Sequence, residues 1–84
     1  MVDIVEATAV GGFRVRLRFD DGTEGVVDLR PHLRGPIFDP LVNDPELFAA
    51  VAVGPELGTI VWPNGADMDP DVLYQLSRSA TVVE

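Results

Sequence analysis

From Phe13 to Phe19 apolar and arginine residues alternate without a break, with Phe13, Val15, Leu17 and Phe19 on one side of an extended chain and Arg14, Arg16 and Arg18 on the other. Successive side chains of a strand point to opposite faces, so this period of two predicts a strand with one buried face and one wet face. The turn that follows, Asp20-Asp21-Gly22, decides how the next strand pairs with it. A two-residue loop at Asp21-Gly22 pairs Phe19 with Glu24 and Val15 with Asp28, which sets acids among the apolar side chains. A three-residue loop, a type I turn with Gly22 in the left-handed region, instead pairs Val15 with Val27 and Phe13 with Leu29. It also brings Arg18 opposite Glu24 and Arg14 opposite Asp28, and this register is the one predicted. Each such exposed pair is worth about 0.2–1 kcal/mol, enough to favour a register without carrying a fold.

Residues 2–10 are rich in Val, Ile and Thr and alternate weakly, which predicts a first strand ending at the turn pair Gly11-Gly12. Pro31 halts the strand after Arg30, and the stretch through Gly35-Pro36 reads as a turn or single helical turn leading to Ile37-Phe38. Asp44-Pro45-Glu46 is a helix start: Asp44 caps, Pro45 takes the first position where its missing N–H costs nothing, and Glu46 suits the helix dipole. Leu47, Phe48 and Val51 are expected to face inward. Asp69-Pro70-Asp71 repeats the device, with Val72, Leu73 and Leu76 at helical spacing behind it. Val51-Ala52-Val53 and Thr59-Ile60-Val61-Trp62, separated by Gly54-Pro55-Glu56-Leu57-Gly58, predict a second hairpin that Pro63 ends. From Ser77 to Glu84 the pattern fades, so a frayed tail is expected, with Val82-Val83 a candidate for docking on a sheet edge. The predicted architecture is α+β, a single domain over residues 1–84. It comprises a small antiparallel β-sheet of about four or five short strands, one face covered by two short helices.

A chain of 84 residues holds one modest core, burying roughly 60% of the unfolded surface, and its 46% apolar content is that of a folded protein. Without cysteine there is no disulfide framework, thiolate metal site or cysteine nucleophile, and the chain suits a reducing compartment. The start, Met1-Val2-Asp3-Ile4-Val5-Glu6, lacks the basic region and apolar run of a secretory signal, and no segment is apolar enough to span a membrane, so a cytoplasmic location is expected. A net charge of −8, with no lysine, opposes the counterion release that drives nucleic-acid binding, so no direct nucleic-acid contact is expected. The same charge suits a basic protein partner, or only keeps a small domain soluble. An unpaired strand edge would allow a homodimer.

The chemistry-bearing residues form no catalytic pattern. A row of three Arg can grip a phosphate or carboxylate, but two of the three have acids opposite them in the predicted register, which favours a structural role. His32, the sole histidine, has no Ser or second His beside it in sequence and reads as an exposed loop residue. Asp67, Asp69 and Asp71 alternate like the opening of a calcium loop, yet Val72 stands where that loop needs Gly and Arg78 where it needs Glu. Capping by Asp69, and a bond from Asp67 to the turn backbone, explain these acids without metal. Ser77 and Ser79 lack a GxSxG setting, and no glycine-rich phosphate loop is present, so no cofactor, metal or catalytic residue is assigned. What stands out is Trp62, Asn64, Asp67 and Tyr74. Trp62 and Tyr74 either pin the last helix to the sheet while Asn64-Gly65 makes the turn, or form a partly open recognition patch beside fixed polar groups.

Trp62-Pro63-Asn64-Gly65, followed by Asp67, Pro70 and Leu73-Tyr74, resembles the signature of a family of small bacterial domains known as domain of unknown function 2442. The likeness extends upstream through Phe19-Asp20-Asp21-Gly22, Val27-Asp28-Leu29, Leu41, Phe48 and Gly58-Thr59-Ile60, covering residues 4–76. The resemblance implies a fold and leaves the biochemistry open. Some proteins similar to the family carry an added helix-turn-helix, and its genes often lie beside another small uncharacterised gene, a setting that suggests a toxin–antitoxin type of pair. The stretch that carries the resemblance does not include such a DNA-binding part, so DNA contact is not expected on that ground. The expected function is a non-catalytic protein-interaction or regulatory module, the antitoxin-like member of a two-gene pair. The alternative is a small enzyme or ligand-binding domain with a carboxylate-lined cleft.

Overall fold

A computed structural model describes residues 2–82, and side chains as far as Arg78. The alternating run forms strand β2 (Arg14–Phe19), flanked by β1 (Ile4–Ala9) and β3 (Glu24–Asp28) in an antiparallel sheet of order β1-β2-β3. The β2–β3 register is the predicted one: Val15 faces Val27, Arg18 faces Glu24 and Arg14 faces Asp28, and the Leu29 N–H donates to the Phe13 carbonyl at 2.9 Å. The loop is closed by the Phe19 N–H to the Thr23 carbonyl (2.8 Å) and the Gly22 N–H to the Phe19 carbonyl (3.0 Å), with Gly22 at φ 90°. Val15, Leu17 and Phe19 are buried and the three arginines exposed, as an alternating strand with one dry face requires. The weak alternation of β1 also has a cause. A bulge between Ile4 and Glu6 sets Ile4 opposite Phe19 and Ala7 opposite Leu17, so residues three apart share the inner face.

After β3 a 3-10 turn at Arg30–His32 leads to α1 (Asp39–Asn43) and α2 (Pro45–Ala49). Asp44 caps α2 as expected, its Oδ1 accepting from the N–H groups of Glu46 (3.1 Å) and Leu47 (3.3 Å). Helix α1 adds a turn that five residues were too few to announce by periodicity; it too carries an Asp-Pro pair, Asp39-Pro40, in its first turn. The second predicted hairpin is β4 (Ala52–Gly54) with β5 (Thr59–Val61), pairing Val53 with Ile60. The α+β class holds, with the five strands among the described residues divided between two sheets rather than forming one. A bond from the Ile4 N–H to the Gly58 carbonyl (2.9 Å) ties the sheets together.

The last helix, α3 (Pro70–Val82), lies against β3. It runs on through residues expected to fray. The inward position after Leu73 is Ser77, completely buried, and a small polar side chain there hides the periodicity that a larger apolar one would have shown. Ser77 fits because Gly25 faces it: a Cβ at Gly25 would stand 2.8 Å from the Ser77 carbonyl oxygen. Val82 is thus helical rather than extended, and Val83 lies outside the described residues. Val72, expected inward, is 45% exposed, because the inward stripe runs through Leu73 and Ser77 with Tyr74 and Leu76 half-buried beside it. The core joins Ile4, Val15, Leu17, Phe19, Val27 and Leu29 of the three-stranded sheet to Leu41, Phe48, Ile60, Trp62 and Leu73.

Candidate functional site

Trp62-Pro63-Asn64-Gly65 builds the same turn as Phe19-Asp20-Asp21-Gly22. The Trp62 N–H donates to the Ala66 carbonyl (2.9 Å), the Gly65 N–H to the Trp62 carbonyl (3.0 Å), and Gly65 sits at φ 91°. In each turn the residue before glycine accepts a backbone N–H two positions on: Thr23 to Asp21 Oδ1 at 2.9 Å, and Ala66 to Asn64 Oδ1 at 3.1 Å. This is why Asp or Asn precedes glycine in both. Beyond the turn the chain stays extended along β5. Asp67 bridges Val61, and the buried Thr59 hydroxyl donates to the Met68 carbonyl. Asp69 Oδ1 then accepts from the Asp71 N–H at 2.8 Å and opens α3.

This anchored stretch forms one wall of a shallow, open groove of about 480 Å³. The other wall comes from Pro31 to Phe38. Buried Leu33 fixes its backbone between exposed His32 and Arg34. Asn64 reaches across, its Nδ2 donating to the Ile37 carbonyl at 2.9 Å, while the Phe38 ring stands edge-on to Trp62 with centroids 6.3 Å apart. The amide orientation of Asn64 follows from these partners, since only its oxygen can accept from Ala66 and only its nitrogen can donate to Ile37. Phe38, Met68 and Val72 supply apolar lining; His32 and Arg34 lie on one wall, Asp67 and Asp69 on the other. Among the described residues no ion pair joins the two walls of the groove, and Arg18 pairs with Glu6 away from it, on the outer face of the sheet. An apolar strip between charged margins is the composition of a surface that takes up part of another molecule.

The four residues singled out from the sequence are not one patch. Trp62, only 3% exposed, lies behind the groove, its Nε1–H donating to the Phe48 carbonyl at 3.0 Å. Asn64 supports the groove and Asp67 lines it. Tyr74 is elsewhere, edge-on to Phe19 at 5.1 Å with its hydroxyl donating to Asp21 Oδ2 at 2.7 Å. Tyr74 thus holds α3 to the first hairpin, while Trp62 joins Phe38 and Phe48 at the other sheet. The bond expected from the Asp67 side chain to the turn is made by Asn64 instead; Asp67 takes part through its backbone bridge to Val61, and it is exposed where it lines the groove. Arg34, Phe38 and Met68 carried no signal, because they lie outside periodic elements, and the helical spacing of Val72 pointed it inward; the two walls are also about thirty to forty positions apart in the chain. His32 belongs to the groove, exposed as expected.

Among the described residues no group of three or more His, Asp or Glu is placed to hold a metal ion. Asp67 and Asp69 share the groove with His32, but Asp69 already spends one oxygen on its cap. No helix among the described residues is long and apolar enough to cross a membrane. No curated protein and no solved structure matches the chain. The model of one family, described as a protein of unknown function (DUF2442), matches residues 4–79, a span that includes both glycine turns, both groove walls and most of α3. The chain therefore belongs to the DUF2442 family.

Proposed function

We propose that this domain is a non-catalytic protein-interaction module that holds a segment of a basic partner protein in the groove between residues 31–38 and 67–72. The observation that carries this is an apolar strip, exposed Val72 beside half-buried Phe38 and Met68, on a backbone fixed by turn, bridge and cap, so little ordering is required when a partner arrives. A net charge of −8 favours a basic partner and speeds its encounter. A regulatory role as the antitoxin-like half of a two-gene pair fits such a module, with the neighbouring gene product as the partner.

Co-expression of the two products, followed by pull-down, tests this. A complex is expected that weakens with salt, and Val72→Asp should weaken it at least tenfold, with unfolding free energy unchanged within about 0.5 kcal/mol because the side chain is already exposed. An intact complex in the variant would refute the groove as the docking site. A second reading, a small-ligand cleft, is supported by His32 sharing the groove with two carboxylates. It expects a small cationic ligand to titrate resonances of Asp67 and Asp69 with no protein partner present.

A further inference from the structure

We infer that the segment held in this groove is dipolar: an apolar side chain with a carboxylate on one side of it and a cationic group on the other. This rests on the docking function proposed above and adds the chemistry of the occupant. Arg34 and Asp67 are fixed by their backbones, Arg34 beside buried Leu33 and Asp67 through its bridge to Val61. They line opposite walls with Phe38, Met68 and Val72 in the same groove, and no ion pair joins the walls. Folding leaves two opposite charges facing one groove without neutralising each other. A ligand carrying both signs satisfies both walls, whereas a purely basic segment would oppose Arg34. His32 lies in the groove with Arg34 and adds donors to the carboxylate side. Asp69, one oxygen engaged by the Asp71 N–H, is the lesser anion, so Asp67 is the main acceptor for the cation. The carboxylate has two sources, an acidic side chain or the end of a chain, and both present the same group to Arg34.

The test uses the full chain, labelled with nitrogen-15, and short peptides with a central Leu. One carries Glu and Lys on its two sides, one the same residues in reversed order, one Gln on both sides, and one ends in a free carboxylate in place of Glu. The preferred dipolar order should bind about tenfold more tightly than the Gln peptide at low salt, or about 1.4 kcal/mol, the size two exposed charge pairs supply. Resonances of Arg34, Asp67, Met68 and Val72 should move together. The free-carboxylate peptide separates the two sources by binding better or worse than its Glu counterpart. Arg34→Glu with Asp67→Lys should exchange the preferred order, an effect that mere loosening of the fold cannot produce. Groove resonances that move equally for the Gln peptide would overturn the dipolar occupant and leave the docking function standing. No movement with any peptide, while Val72→Asp still weakens the partner complex, would also overturn it. A partner complex indifferent to Val72→Asp defeats the docking function itself.

Discussion

At the Asp21 carboxylate one oxygen accepts from the Thr23 N–H and the other from the Tyr74 hydroxyl, so a turn residue also tethers a helix. These donors, Tyr74 foremost, hold the Asp21 carboxyl below the ordinary aspartate range. The folded carboxylate therefore takes up its proton at lower pH than the unfolded one. Its stabilisation is complete above the unfolded value of about 3.9 and is lost as pH falls through the lower folded value. Tyr74→Phe should destabilise the domain at about pH 6, and its deficit against wild type should shrink by about pH 2.5, as read from urea midpoints at the two pH values. Asn64 is the corresponding tether at the second turn. Asn64→Asp keeps the acceptor for the Ala66 N–H but loses the donor to the Ile37 carbonyl, so a cost of about 1 kcal/mol is expected, measurable by denaturant unfolding. A variant as stable as wild type would show that the tether contributes nothing.

The helices depend on what faces them more than on their own periodicity. Helix α3 approaches β3 at Gly25, where an added Cβ meets backbone that cannot swing away. Gly25→Ala should cost about 1–3 kcal/mol by forcing α3 outward, and amides of α3 should exchange faster while those of the β4–β5 hairpin change little. The short α2 depends on its cap, since five residues hold little helix stability of their own. Asp44→Ala, losing the acceptor for two N–H groups, should cost about 1 kcal/mol in thermal or denaturant unfolding. Helix α1 has no side-chain cap and is held from outside, by buried Leu41 and by the Asn64 bond to the loop before it.

Across the whole molecule, two aromatic centres divide the work. Tyr74 and Phe19 hold the last helix to the meander, while Trp62 gathers Phe38 and Phe48, and Phe48 reaches Phe13 edge-on at 5.2 Å. Trp62 thus connects the groove to the core. At about 0.05–0.15 kcal/mol per residue, a domain this size has about 4–13 kcal/mol of stability. Trp62→Ala removes a buried ring and leaves the Phe48 carbonyl without its donor, at a cost of about 3–5 kcal/mol, so a large drop in melting temperature is expected by circular dichroism. The variant should also lose partner binding more severely than its folded fraction accounts for, because Phe38 loses its backing.

What the chain spells out locally, it determined alone. Strict alternation from Phe13 to Phe19 and the Asp21-Gly22 turn admit one register that keeps acids out of the core, and the Asp-Pro pairs at 44–45 and 69–70 mark helix starts through a backbone bond each can make by itself. The fold class followed from those elements. Where an outcome depends on a distant neighbour, tertiary structure decided it: the bulge that turns Ile4 inward, the Ser77 seat made by Gly25, the burial of Trp62, and the separation of Trp62 from Tyr74. The groove belongs to this second kind. Its walls have no shared period and meet only because Asn64 bonds Ile37 and Trp62 packs on Phe38, and a pattern within either segment cannot encode a contact between them.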